Sequence, residues 1–160
     1  MPRGGRALAW GALAAYSALV FCISSLPIDA IPSIGFTLND KLVHLKAYFG
    51  WGFLCAWALR TTAPHFRPGM LVLGAALGGA LYGLSDEIHQ MFVPGRAAEL
   101  GDLAADAAGA TLGGCAWVGL RSALLRVSRS RPEAASAAAT PGPLEREVSA
   151  PGSDGTRDGR

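Results

Sequence analysis

The stretch MLVLGAALGGALYGLSDEIHQMF, residues 70–92, is apolar only as far as Leu84. As a helix that apolar part covers about 22 Å, short of a bilayer's hydrocarbon thickness. Carried through Asp86 and Glu87 to Phe92, the same helix reaches about 34 Å and spans it. The carboxylates then lie inside the end of the span rather than beyond it. Ionisable groups in that position cost several kcal/mol unless they are paired or put to use, so the stretch predicts a membrane helix with a site at one end.

Three further apolar blocks fit the same environment. Residues 7–26 extend about 30 Å as a helix, 41–59 about 28 Å and 103–120 about 27 Å. Hydrophobic residues make up 51% of the chain and charged ones only 16%, and the charges interrupt the blocks mainly at their ends. The expectation is an all-α fold: an integral membrane bundle of four transmembrane helices, spanning 7–26, 41–59, 70–92 and 103–120, in one domain over residues 1–127. From 128 to 160, Pro, Gly, Ala, Ser and charges of both signs leave little to bury, which predicts a disordered cytoplasmic tail. Arg3 and Arg6 ahead of the first block also resemble the start of a secretory signal peptide. Ile28, however, stands in the candidate cleavage region where a small residue is preferred, so the block reads as a retained span. Cys22, Cys55 and Cys115 each fall within a span without metal-ligand spacing and read as small buried side chains.

Arginine placement sets the expected orientation. Arg3 and Arg6 precede the first span, Arg60 and Arg67 lie between the second and third, and Arg121, Arg126, Arg129 and Arg131 follow the fourth. The other two connections carry Lys41 and Arg96 against a majority of acids. The positive-inside rule places both termini in the cytoplasm and the acidic ends of the spans outside, in the cell membrane. Basic residues flank spans rather than forming a face, which argues against nucleic-acid binding. In the first outer connection, Ile31, Ile34 and Phe36 are expected to dip into the interface.

Polar residues gather at that outer end. From Asp40, His44 lies about 6 Å along its helix; Glu87 lies about 7 Å below Phe92, and Asp106 about 6 Å from Asp102. Depth alone therefore puts His44, Glu87 and Asp106 in one plane. Helical spacing puts Lys41, His44, Tyr48 and Gly52 on one face, Gly83, Glu87 and Gln90 on a second, and Asp102, Asp106, Gly109 and Gly113 on a third. Gly74/Gly78, Gly79/Gly83 and Gly109/Gly113 are small-xxx-small pairs that allow close helix approach, within one chain or in a homodimer. His89 falls on the other side of its helix from Glu87 and reads as an interfacial contact, and His65 as a loop residue.

The same residues carry a family resemblance. Asp40-Lys41-x-x-His44-x-x-x-Tyr48 resembles the opening signature of the VanZ-like membrane proteins. So do Glu87-x-x-Gln90-x-Phe92-x-Pro94-Gly95-Arg96 and Asp102-x-x-x-Asp106-x-x-Gly109-x-x-x-Gly113. The likeness covers roughly residues 7 to 120. Two positions depart from it: Asp106 stands where the family often has Asn, and Glu99 where a small polar residue is common. The resemblance implies a small multi-pass protein linked in some members to glycopeptide (teicoplanin) resistance, and implies no particular reaction.

Three functions suit such a cluster. The first is recognition of a lipid head group or envelope precursor in an outward-facing polar pocket. Lys41 and Arg96 would hold a phosphate, while Tyr48, Gln90, Asp40, Asp102 and Asp106 would bind amino or sugar groups. The second is a membrane enzyme acting on a lipid-linked or phosphate-bearing substrate, with Glu87 as general base or acid, His44 shuttling a proton and Arg96 stabilising negative charge. The third is a structural network locking the helices in register, although polar contacts between membrane helices are worth only about 0.6–2 kcal/mol. No cofactor and no resident metal is assigned; His44, Glu87, Asp102 and Asp106 would suit Mg²⁺ or Mn²⁺ better than structural Zn²⁺ if they held one.

Overall fold

The computed structural model describes residues 3–27 and 40–138. It contains α1 (Arg3–Ser24), α2 (Asp40–Thr62), α3 (Pro68–Gln90) and α4 (Leu100–Ala138), with no strand among the described residues. Four helical segments are long and apolar enough to cross a membrane: Gly4–Ser24, Asp40–Thr62, Pro68–Gln90 and Leu100–Ser128. The described residues up to 121 belong to one compact unit and those from 122 to a second. Of the segment expected to lack structure, 128–138 belong to α4, where alanine, arginine and glutamate favour helix. The rest of that segment lies outside the described residues, as does the loop with Ile31, Ile34 and Phe36.

The third span runs through its acids, as its length required: α3 ends at Gln90, with Asp86 and Glu87 inside it. Pro68 opens the helix at a position where its missing N–H has no partner to lose. Its two faces differ in kind. Leu73, Leu77, Leu81, Leu84 and Ile88 are exposed along one side, whereas Leu71, Ala75, Gly79, Gly83, Glu87 and Gln90 are buried along the other. Most leucines thus face lipid, and apart from Leu71 small or polar residues face the bundle, which is the arrangement expected where lipid tails are as apolar as leucine.

Antiparallel contacts order the helices. Tyr16 of α1 donates to the carbonyl of Ala47 of α2 (3.0 Å). Trp51 Nε1 of α2 donates to Ser17 Oγ of α1 (2.9 Å), and Tyr82 of α3 donates to the Ser17 carbonyl (2.7 Å). The Trp51 and Tyr82 rings stack between these bonds, with centroids 5.7 Å apart. Below them, Ala9, Leu13, Cys55, Ala56, Ala58, Leu71, Ala75 and Trp117 make the apolar core.

Close approach of α4 depends on glycine. A Cβ at Gly109 would meet the backbone of Leu45, one at Gly113 the backbone of Phe49 and Phe53, and one at Gly52 the backbone of Ala110. On the α3 side, Gly79 lies against Ala110 and Gly83 against the Asp106 side chain. The glycines of all three small-xxx-small pairs face helices of the same chain. Cys55 is buried as expected, but Cys22 and Cys115 are exposed. Correcting that expectation needs only the medium, since an exposed thiol on a spanning helix meets lipid and behaves as a small hydrophobe.

Candidate functional site

The ends of α1 and α3 and the starts of α2 and α4 meet at one end of the bundle, and their polar side chains form a buried layer. His44 Nδ1 lies 3.0 Å from Asp106 Oδ1, joining α2 to α4. Glu87 Oε2 accepts the backbone N–H of Glu99 at 2.7 Å. The carbonyl of Glu99 in turn accepts the first N–H groups of α4, from Asp102 and Leu103, so Glu87 fixes where that helix starts. One donor atom each from His44, Glu87 and Asp106 falls within 4.8 Å of the others. All three residues are buried.

The layer leaves some of its own atoms unsatisfied. Tyr48 Oη, Glu87 Oε1 and Asp106 Oδ2 are buried with no hydrogen-bond partner among the described residues. Tyr48 lies one turn beneath His44 on α2, its ring 6.0 Å from that of Tyr82. Buried polar atoms in proteins are nearly always paired, so three such atoms in one layer call for a partner that the fold itself does not supply.

Other acids are satisfied locally. Asp86, to which the helical pattern assigns no role, accepts from Ser24 Oγ (2.5 Å) and Gln90 Nε2 (3.0 Å). Gln90 therefore serves Asp86. His89 stacks on Phe21 (4.4 Å between centroids) and lies 2.9 Å from Ser25 Oγ, which makes it a contact with α1. Nothing in the spacing of the polar residues singles out Ser24 and Ser25; a serine pair closing an apolar helix is the signal that could have found them. His65 lies exposed in the α2–α3 connection against Phe66.

The two expected phosphate binders are placed differently. Lys41 Nζ bridges Glu99 Oε2 (2.9 Å) and Asp102 Oδ1 (3.2 Å) at the rim, with Asp40 exposed beside it at the start of α2. Arg96 is held by the turn before it. Val93-Pro94-Gly95-Arg96 closes with Arg96 N–H donating to the Val93 carbonyl at 3.1 Å, and Gly95 has φ 79°. Proline then glycine at the two central positions is the signature of a type II turn, which needs a positive φ at the glycine. The turn brings Arg96 Nε to 3.3 Å from the Leu26 carbonyl at the end of α1, and no ion pair joins Arg96 to the acids among the described residues.

The rim pair makes a testable contribution. The Lys41 ammonium, hydrogen-bonded to Glu99, holds the Glu99 carboxyl below the usual carboxylate range. A value lower in the folded than in the unfolded state adds stability at neutral pH, lost as pH falls through the folded-state value. Glu99→Gln is expected to melt slightly below wild type at neutral pH and level with it in acid. Thermal unfolding in detergent at the two pH values checks this; equal differences at both would refute it. The effect is small because both side chains are about half exposed.

Comparison with known proteins fits this architecture. The family model described as VanZ/LLP1 matches residues 11–122, well over half the chain. No curated protein and no solved structure matches it. The matched region reaches into all four membrane-spanning helices and takes in every residue of the buried layer. A multi-pass membrane protein by its helices, the chain belongs to the VanZ/LLP1 family.

Proposed function

We propose that this protein works in the cell envelope by binding a lipid head group or envelope precursor in a polar pocket that faces outward, both termini being cytoplasmic. The observation that supports this best is the set of open valences on Tyr48, Glu87 and Asp106, buried at the end of the bundle. A network built only to lock helices would satisfy its own atoms. Around the layer, Met91, Phe92 and Leu100 are exposed apolar residues, suited to sit among acyl chains where a head group would be met. The glycopeptide-resistance link implied by the resemblance fits a protein that handles such a precursor.

Native mass spectrometry in lipid nanodiscs, comparing wild type with Glu87→Gln, tests the reading. A specific lipid retained only by wild type is the expected result. Equal nonspecific retention in both, with the variant much less heat-stable, would make the acids structural and overturn it. Orientation has its own check. A single cysteine at Glu99 should react with a membrane-impermeant maleimide in intact cells, and one at His65 only after lysis; the reverse pattern would invert the topology.

One observation favours a second reading, a membrane enzyme acting on a lipid-linked or phosphate-bearing substrate. The His44–Asp106 hydrogen bond orients an imidazole beside Glu87, the relation that general acid–base catalysis needs. With Arg96 turned to Leu26, stabilising negative charge would fall to another cation. Turnover of the retained lipid, lost in His44→Ala, would distinguish catalysis from binding.

A further inference from the structure

We propose that His44, Glu87 and Asp106 bind one divalent cation of the oxygen-preferring kind, such as Mg²⁺ or Mn²⁺. Geometry is the first argument. One imidazole nitrogen and two carboxylate oxygens lie within 4.8 Å of one another. Donors about 2.1 Å from such an ion lie about 3 Å apart when adjacent and about 4.2 Å when opposite, so a small contraction completes the set. A single nitrogen among oxygens is a donor set that suits Mg²⁺ or Mn²⁺ rather than a thiolate-rich or histidine-rich zinc site.

Open valence is the second argument. Glu87 Oε1, Asp106 Oδ2 and Tyr48 Oη have no partner among the described residues, and these residues are 4%, 0% and 1% exposed. Each carboxylate spends one oxygen inside the protein, on the Glu99 N–H and on His44, and keeps the other open. Hydrogen bonds to protein atoms among the described residues leave that half of each group open.

Charge is the third. No lysine or arginine lies within ion-pair distance of Glu87 or Asp106 among the described residues, and Lys41 is committed to Glu99 and Asp102. A protonated His44, 3.0 Å from Asp106, would offset one of the two carboxylates and leave the other, out of water, without a cation. A doubly charged ion with a neutral imidazole balances the pair. The neighbouring set Asp40, His44 and Asp102 has comparable spacing, but Asp102 is already paired with Lys41 and Asp40 is exposed. It lacks the open buried oxygens that single out the inner set.

In its role, though not in its existence, the ion rests on the head-group reading. A phosphate reaching the layer would meet two carboxylates, with Arg96 bonded to the Leu26 carbonyl and Lys41 bridging two acids at the rim. A bound divalent ion turns that repulsive surface into one that attracts phosphate.

The test uses full-length protein in detergent, stripped with EDTA and titrated with Mn²⁺, following free Mn²⁺ by electron paramagnetic resonance. The expected result is one Mn²⁺ per chain, displaced by Mg²⁺. Glu87→Gln and Asp106→Asn should each weaken binding at least about tenfold, whereas Asp102→Asn should not. Absence of binding by wild type at about 1 mM Mn²⁺ would overturn the proposal, as would binding that survives both inner substitutions or is lost only with Asp102→Asn. Melting temperatures in EDTA show that each variant is folded. The two readings fail separately. Mn²⁺ bound in detergent without lipid retention in nanodiscs supports the ion and removes head-group recognition. Lipid retained in EDTA by a protein that binds no Mn²⁺ overturns the ion alone.

Discussion

Gly113→Ala should open the bundle. A Cβ there meets the carbonyl oxygen of Phe49 and stands 2.7 Å from the backbone nitrogen of Phe53, both on α2. A side chain in the way could rotate, but backbone inside a regular helix cannot, so α2 and α4 must separate. Overpacking of this kind costs about 1–3 kcal/mol, and a backbone obstacle favours the upper end. The separation also pulls His44 from Asp106, about two helical turns away along the same contact. The expected outcome is a lower unfolding midpoint on titration with a denaturing detergent, together with loss of any ligand held by the layer. Gly119→Ala is the matched control, because nothing lies within 4 Å of its added Cβ. A Gly113→Ala protein as stable as the Gly119→Ala one would mean that α2 and α4 do not touch backbone to backbone.

Much of this arrangement is legible in the sequence, for a reason specific to membranes. Span lengths follow from bilayer thickness, and rise per residue then gives depth, so the chain's numbering alone sets His44, Glu87 and Asp106 at one level. Helical spacing also gives faces: Gly83 and Glu87 do lie on the buried side of α3, and Gly109 and Gly113 on the side of α4 that meets α2. Depth and face say nothing, however, about how one helix is rotated toward another. Asp102 and Asp106 share a face of α4, yet Asp102 is taken by Lys41 and Asp106 by His44. That choice depends on the rim geometry.

Two features lie beyond pattern reading altogether. Arg96 is aimed by the turn at Pro94 and Gly95, whose composition announces a turn but not the direction of the side chain leaving it. Glu87 bonds a backbone N–H twelve residues on, a kind of donor that nearly every residue carries and no sequence marks. The same bond explains how the acidic end of α3 and the start of α4 are held together. It also explains why only one Glu87 oxygen is without a partner among the described residues.

Asp106→Asn is expected to stabilise the metal-free protein, which is the opposite of what a structural network predicts. Asn preserves shape, which matters because Gly83 packs directly on the Asp106 side chain and leaves no room for a larger group. Its carbonyl oxygen can still accept from His44, and its amide is neutral where Oδ2 now has no partner among the described residues. It also removes one of two carboxylates that share a water-poor space without a lysine or arginine beside them among the described residues. Replacing a buried ionisable group by a neutral one of similar volume is often neutral or stabilising by about 1–4 kcal/mol. In EDTA the variant should therefore unfold at a higher midpoint than wild type, while the stabilisation that Mn²⁺ gives wild type should largely vanish. If the acid instead serves to lock α2 to α4 through a charge-assisted bond to His44, Asn weakens that bond and the midpoint falls. The sign of a single melting difference in EDTA thus decides whether stability was given up at this layer for the sake of a ligand.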